Sequence, residues 1–220
     1  MIAGVDGCRG GWLVVTDPGD GTTEVAVHRT FAGVLALGAT LVAVDMPIGL
    51  PAVGPRACDL AARRRLGRRA SSVFPAPVRA VLGAADHAEA LARSRAASGR
   101  GLSVQAWNLV PKITEVDEAI APGDAVAEVH PELSFATLGG GPLGSRKREL
   151  AGRVERLGLL EGDFPDVAER LAGRPPGCAA DDVLDAYATL WTARRITAGR
   201  AESLGDGERD ERGLVMSITV

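Results

Sequence analysis

The sequence has few of the residues that would hold a small fold together by covalent or metal links. Only three cysteines occur in the 220 residues, Cys8, Cys58 and Cys178, and no two of them form a C-x-x-C pair. An odd number at such wide spacing argues against a disulfide framework and against a zinc site, so we expect free thiols. Aromatic residues make up only 4% of the chain, so Val, Leu, Ile and Ala must supply most of the core.

Long apolar runs and an excess of basic charge are also missing. No run approaches the roughly 18 apolar residues of a membrane span, and the N-terminus lacks the basic and apolar segments of a signal peptide. We therefore expect a cytoplasmic protein that makes no contact with a membrane. The formal net charge is −3 at pH 7, so any binding to nucleic acid must use a local basic patch.

Three apolar runs in the sequence each end in an acidic residue. Residues 2–6, 41–45 and 125–128 read as buried strands that finish at Asp6, Asp45 and Glu128. Parallel strands lie about 5 Å apart in a sheet. Open α/β sheets place their binding sites at the carboxyl edge of the strands. If these strands are parallel neighbours, we expect their acids to gather there.

The remaining pattern predicts an α/β fold in one domain, residues 1–220. Turn signals separate three antiparallel strands, and a short helix then leads to the strand at 41–45, which gives the order βββαβ. Residues 52–122 hold only helical signals and predict a helical insertion after the fourth strand. Beyond it we expect a strand at 125–129, helices at 146–160 and 181–199, and an edge strand at 214–220.

The long helix near the C-terminus begins with three acids, Asp181, Asp182 and Asp185. Helix capping and the helix dipole explain one acid at this position, but not three. Asp182 and Asp185 are three residues apart, so they lie on one face of the helix and could bind a common ion.

Basic residues are densest in the arginine run at residues 63–69. At helical spacing these arginines cannot share one face, and both a solvated helix surface and a phosphate-contacting patch fit the pattern. The candidate substrate-binding residues are Arg9, Arg63, Arg64 and Lys112. For Lys112, a surface pair with Glu115 one turn later is the alternative.

Five segments of the chain resemble one protein family. They are GVDGCRGGW at residues 4–12, VDMPIGL at 44–50, PKITEVD at 111–117, EVHPE at 128–132 and DDVLDA at 181–186. The sequence is similar over nearly its whole length to the predicted ribonuclease-H-like nuclease family, also called domain-of-unknown-function family 429. That resemblance implies a ribonuclease H-like mixed five-stranded sheet of order 3-2-1-4-5 flanked by helices.

The same resemblance implies a metal-dependent nuclease that hydrolyses phosphodiester bonds of a nucleic acid. Asp6 and Asp45 would be neighbours, and Asp182 and Asp185 would face them as catalytic residues. Crowded carboxylates repel one another unless cations neutralise them, so we expect all four to bind Mg²⁺ or Mn²⁺, with Glu128 as a further ligand and Asp181 in reserve. Two ions about 4 Å apart could activate the attacking water and stabilise the leaving oxygen.

Two other functions fit the same residues. Sugar kinases and actin-like ATPases hold nucleotide phosphates with a first-strand acid and a glycine hairpin, which residues 6–11 resemble. Those proteins clamp nucleotide between two domains, so this chain would have to act as a homodimer. A catalytically silent binding module would hold no divalent ion. Single acids also have structural explanations, for example a turn at Asp6, a loop cap at Asp45 or a salt bridge from Glu128 to the insertion.

Overall fold

The structure, a computed structural model, describes all of residues 1–220 and is built on a five-stranded mixed sheet of order β3-β2-β1-β4-β5. The strands are β1 (Ile2–Cys8), β2 (Gly11–Asp17), β3 (Glu24–His28), β4 (Leu41–Val44) and β5 (Val126–Glu128). The pairs β1–β2 and β2–β3 are antiparallel, whereas β1–β4 and β4–β5 are parallel. The predicted α/β class and the strand order 3-2-1-4-5 are therefore confirmed.

Eight α-helices flank this sheet. They are α1 (Phe31–Leu35), α2 (Ala57–Leu66), α3 (His87–Ser98), α4 (Val104–Ala119), α5 (Pro131–Leu138), α6 (Leu150–Leu160), α7 (Val167–Ala172) and α8 (Ala180–Thr197). Two short 3₁₀ helices, Gly67–Ser72 and Arg79–Val81, follow α2. Between β4 and β5 the chain contains helices only, which confirms the helical insertion. No helix is long and apolar enough to cross a membrane, and all three cysteines are free.

Three elements differ from those expected. Helix α6 begins at Leu150, so residues 146–149 form a turn instead of the first turn of a helix. The segment after His130, expected only as a bend, forms α5, because Pro131 stands at the first helical position, where no backbone N–H is needed. The C-terminal edge strand is limited to β7 (Ile218–Thr219), which pairs with β6 (Ser203–Leu204).

Alternation along the strands sorts their side chains onto two packed faces. Helix α8 covers one face, and it approaches β1 closely because residue 4 is glycine. A Cβ atom at Gly4 would lie 2.3 Å from Leu190 N and 2.4 Å from Ala186 O. The opposite face, which includes Val5 and Val44, packs against α1 and α4. The side chain of a residue at the end of a strand therefore points either toward α8 or toward α1 and α4.

Candidate functional site

Asp6 and Asp45 lie side by side where two parallel strands end. Val5 pairs with Val44 across β1 and β4, and the Asp45 N–H donates to the Val5 carbonyl at 3.0 Å. The two aspartates are the next residues on each strand, so they take adjacent positions on the face covered by α8, about 5 Å apart in the backbone. The Asp6 Oδ1 also accepts a hydrogen bond from the Gly7 N–H at 2.7 Å.

Asp185 on α8 is the third carboxylate of this site and is 3% exposed. The pKa of Asp6 is raised well above its usual value because burial disfavours the charged form, and because Asp45 and Asp185 repel it. Burial raises the pKa of Asp45 to about 6, with repulsion from Asp185 adding to the effect and His130 opposing it. Asp6, Asp45 and Asp185 therefore form one electrostatically coupled group, here called the aspartate cluster.

A single lysine lies inside the aspartate cluster. The Lys147 ammonium donates to Asp185 Oδ2 at 2.7 Å. Burial disfavours its charge, yet Asp185, Asp45 and Asp6 together raise the pKa of Lys147 above its usual value. The lysine content could have singled it out, since the chain contains only two lysines, Lys112 and Lys147. The helix expected at residues 146–160 would include Lys147, whereas Lys147 lies in the turn before α6.

Asp182 stands beside the aspartate cluster and caps the start of α8. Its Oδ2 accepts from the Ala179 N–H at 2.8 Å. Burial raises the pKa of Asp182, repulsion from Asp181 and Asp185 raises it further, and the bond to Ala179 opposes these effects. Asp182 thus contributes charge near the site, but one of its oxygens already accepts a hydrogen bond at the start of α8. Asp181 is partly exposed in the same turn.

Glu128 does not join the aspartate cluster, although it was expected as a metal ligand. It pairs in register with Val44, so its side chain leaves the sheet on the face opposite to Asp45. Its Oε1 accepts from Arg56 Nη2 at 2.7 Å, and its Oε2 accepts from Arg56 Nη1 at 2.6 Å and from Ile48 N at 2.7 Å. The structure replaces the metal-ligand assignment by a buried ion pair with the helical insertion.

Two of the four candidate substrate-binding residues are already engaged within the protein. The Lys112 ammonium donates to the Gly11 carbonyl at 2.6 Å and lies 4.2 Å from the centroid of the Trp12 ring. Arg63 Nη1 donates to the Val73 carbonyl at 2.7 Å. Arg9, at the tip of the β1–β2 hairpin, and Arg64, on α2, are exposed to solvent. These two remain open to a phosphate ligand.

The end of the arginine run ties the helical insertion to the elements around the site. Arg69 pairs with Glu132 at 2.8 Å, and Arg68 Nη2 donates to the Pro142 carbonyl in the glycine-rich loop at 3.1 Å. His130 Nε2 lies 3.3 Å from the Ser72 carbonyl oxygen. The run is therefore neither a wholly solvated surface nor one continuous phosphate patch.

The donor chemistry of the aspartate cluster fits a hard divalent cation. Three carboxylates face one ammonium, and Mg²⁺ and Mn²⁺ prefer carboxylate oxygens. The carboxylates do not converge on a common point, because no group of three or more acidic, histidine or cysteine side chains has the spacing of a metal site. Asp6, Asp45 and Asp185 are the residues that would hold such an ion.

The family model described as "Protein of unknown function (DUF429)" matches residues 4–210. The chain belongs to this family. The matched region includes Lys147 and all three residues of the aspartate cluster, so the whole site lies within the DUF429 region. No curated protein and no solved structure matches the chain.

Proposed function

We propose that this member of DUF429 is a metal-dependent hydrolase that cleaves phosphodiester bonds of a nucleic acid at the aspartate cluster. One observation carries the proposal: three carboxylates share a buried edge of the sheet with a single ammonium, and burial and mutual repulsion raise the pKa values of Asp6 and Asp45. Groups in such unfavourable surroundings concentrate at functional sites. The strand order 3-2-1-4-5 supports the further proposal that the fold is ribonuclease H-like.

The three aspartates have separate supports that suit them to hold a cation. Asp6 and Asp45 extend from neighbouring strands, and the Gly7 N–H fixes the orientation of Asp6. Asp185 projects from α8, which is locked onto β1 at Gly4. A bound Mg²⁺ or Mn²⁺ would supply an activated water and stabilise the leaving oxygen. The protein contributes a rigid, largely buried frame that keeps bulk water away from the carboxylates.

Exposed arginines near this edge support a polyanionic substrate. Arg146 and Arg148 are exposed on either side of Lys147, and Arg9 is exposed at the hairpin tip that follows Asp6. Guanidinium groups pair well with phosphate oxygens. Because the whole chain carries a net charge of −3, this local set is the part suited to contact a nucleic acid backbone.

The kinase-like alternative uses the β1–β2 hairpin as a phosphate loop. The Lys112 side chain packs against Gly7, where a Cβ atom would meet its Cδ at 2.8 Å, and its ammonium is bonded to the Gly11 carbonyl. One face of the hairpin is therefore filled by α4. This arrangement favours the hydrolase over a nucleotide-binding homodimer.

The deciding experiment compares Asp6→Asn with wild type and with Glu118→Gln, which alters an exposed acid on α4. Asparagine keeps an oxygen that can accept from Gly7 N, so the variant should fold. Each protein is freed of metal with chelator, titrated with Mn²⁺ in a calorimeter, and assayed on labelled single-stranded, duplex and branched DNA and on RNA. We expect wild type and Glu118→Gln to bind Mn²⁺ and cleave, and Asp6→Asn to lose both. Equal Mn²⁺ binding by all three proteins would refute the proposal, and Mn²⁺ binding that requires ATP would favour the kinase-like alternative.

A further inference from the structure

The loop that carries Lys147 is held in place by α6. Glu155 accepts hydrogen bonds from the Gly144 N–H and the Ser145 N–H, both at 3.2 Å. These bonds fix the backbone two to three residues before Lys147. The backbone that leads to Lys147 is therefore held in place by α6.

Arg156 secures the same loop from inside the protein. It is 1% exposed, pairs with Glu132 Oε2 at 2.7 Å, and its Nη1 donates to the Ser145 carbonyl at 3.4 Å. Gly152 lets the loop lie against α6, since a Cβ atom there would stand 2.0 Å from the Arg146 carbonyl oxygen. A buried ion pair and a required glycine thus support the segment that delivers Lys147.

The two partners of the Lys147–Asp185 pair differ strongly in exposure. The Lys147 side chain is 44% exposed, whereas that of Asp185 is 4% exposed. The Lys147 ammonium is thus the partner with access to water, and on leaving Asp185 it gives up the attraction of the three aspartates that raises its pKa. Asp185 cannot follow, and without a cation it would remain a buried charge next to Asp6 and Asp45. This asymmetry is what an exchangeable cation beside a fixed anion requires.

We propose that Lys147 is the built-in counter-ion of the aspartate cluster, which binds Asp185 while the site is free of metal and releases it when a divalent cation binds. The inference rests on the proposed function, because it takes the aspartate cluster as the cation site. An ammonium and a divalent ion repel each other at such short range and compete for the oxygens of one carboxylate.

The wild-type protein offers a direct test, because Lys112 and Lys147 are its only lysines. Protein labelled with ¹³C at lysine Cε gives two NMR signals, which Lys147→Arg assigns by removing one. During a Mg²⁺ titration we expect the Lys147 signal to move and the Lys112 signal, whose ammonium is bonded to the Gly11 carbonyl, to stay. Calorimetry on the same sample reports whether Mg²⁺ binds at all.

A second test measures affinity directly. Free Mn²⁺ is followed by electron paramagnetic resonance with wild type, Lys147→Met, Lys147→Arg and the control Arg148→Met, which removes the exposed neighbouring charge. Removing a competing charge at this range should tighten the Mn²⁺ dissociation constant in Lys147→Met by about tenfold or more. Lys147→Arg and Arg148→Met should stay within about threefold of wild type, since arginine keeps the charge and Arg148 lies outside the cluster.

The outcomes separate the inference from the function on which it rests. If Mg²⁺ and Mn²⁺ bind but the Lys147 signal does not move, or if Lys147→Met binds Mn²⁺ no more tightly than wild type, Lys147 is a structural partner of Asp185 and the inference is wrong. If neither ion binds wild type or any variant, the proposed function fails and the inference fails with it. The NMR titration itself uses the wild-type protein. Only the assignment of its two lysine signals requires that Lys147→Arg fold.

Discussion

Two ion clusters flank strands β4 and β5 on opposite faces of the sheet, and they are built in opposite ways. On the face away from α8, Arg56 lies between Glu128 and Asp59, with Nη2 at 2.7 Å from Glu128 Oε1 and 2.6 Å from Asp59 Oδ1. Arg56 Nη1 and Nε also have acceptors, in Ile48 O and Asp59 Oδ2. On the α8 face, three carboxylates share the one ammonium of Lys147.

The difference shows how two sets of charged residues at one edge of a sheet can serve different ends. A buried ion pair stabilises a fold only when geometry and additional hydrogen bonds offset the loss of hydration. The Arg56 cluster meets that condition, since its donors and acceptors are paired with one another. The aspartate cluster does not, and it keeps a capacity to bind cations. Substitutions that act in opposite directions on the two clusters test this distinction.

The largest effect should follow from opening the paired cluster. Arg56→Met leaves Glu128 and Asp59, which are 6% and 1% exposed, without their cation. Removing one partner of a buried ion pair costs about 3–5 kcal/mol, so we expect a loss of that size in the free energy of unfolding by urea. The control is Arg65→Met, which opens the Arg65–Glu202 pair, whose side chains are 34% and 59% exposed. That variant should lose at most about 1 kcal/mol. A similar loss in both variants would show that the buried cluster is not special.

A smaller effect is expected for Glu115, an acid of α4 that bonds to Trp12 and Phe31 on the face of the sheet opposite to the aspartate cluster. Its carboxylate accepts from the Trp12 indole N–H at 3.0 Å and from the Phe31 N–H at 2.6 Å. Trp12 is fully buried, so Glu115→Ala leaves its indole N–H unpaired, and we expect a loss of about 1–3 kcal/mol. Urea unfolding should show this loss equally with chelator and with Mn²⁺. A loss that Mn²⁺ reverses would place Glu115 in the cation site.

The aspartate cluster should respond to pH in the opposite sense to an ordinary ion pair. The pKa of Asp45 is raised from 3.8 to about 6. Between these values the folded state binds more protons at this group than the unfolded state, so the stability of the metal-free protein falls as pH rises. Asp45→Asn removes this contribution. Relative to wild type, the free energy of unfolding of Asp45→Asn should therefore rise by about 2–3 kcal/mol between pH 4 and pH 7.

This prediction is measured as the difference between two unfolding curves in chelator, because other acids titrate in the same range. His130, Asp185, Asp6 and Lys147 surround Asp45 and are present in both proteins. A constant difference between wild type and Asp45→Asn across this range would mean that Asp45 is ionised at no cost in the folded state. The aspartate cluster would then resemble the Arg56 cluster.

Much of the fold could be predicted because its signals are local. Apolar strands, turn glycines and the helical spacing of several segments between residues 52 and 122 indicate the elements, and β1, β4 and β5 each end close to an acid, namely Asp6, Asp45 and Glu128. The site residues Asp6, Asp45 and Asp185 could also be predicted from the sequence, because the ends of parallel strands and the start of the last helix meet at one edge of the sheet. The positions of these acids depend on few long-range details.

Glu128 and Lys147 could not be placed from the sequence, because each depends on a pairing between distant segments. The face reached by Glu128 is set by the register of β5 on β4, where a shift of one residue exchanges the two faces. Lys147 meets Asp185 across 38 residues. The approach of Lys147 to Asp185 depends on the contacts of α6 with the loop at residues 144–147, and such contacts produce no periodic pattern in the sequence. The sequence locates the acids of the site but not the cation that balances them.

The smallest effect on stability is expected at Arg64, which distinguishes an unpaired surface charge from a paired one beside it. Arg64 is exposed, whereas Arg63 donates to the Val73 carbonyl at 2.7 Å. Arg64→Ala should change the free energy of unfolding by less than about 0.5 kcal/mol, and Arg63→Ala should lower it by about 1 kcal/mol through the lost hydrogen bond.

Binding to nucleic acid should reverse the ranking of these two variants. If Arg64 contacts one phosphate, Arg64→Ala should reduce the salt dependence of binding by about one unit of slope, while Arg63→Ala leaves it unchanged. Fluorescence anisotropy with a labelled oligonucleotide at several salt concentrations measures both slopes. Identical slopes for wild type and Arg64→Ala would remove Arg64 from the substrate-binding set and leave the exposed arginines around Lys147 as the remaining contact surface.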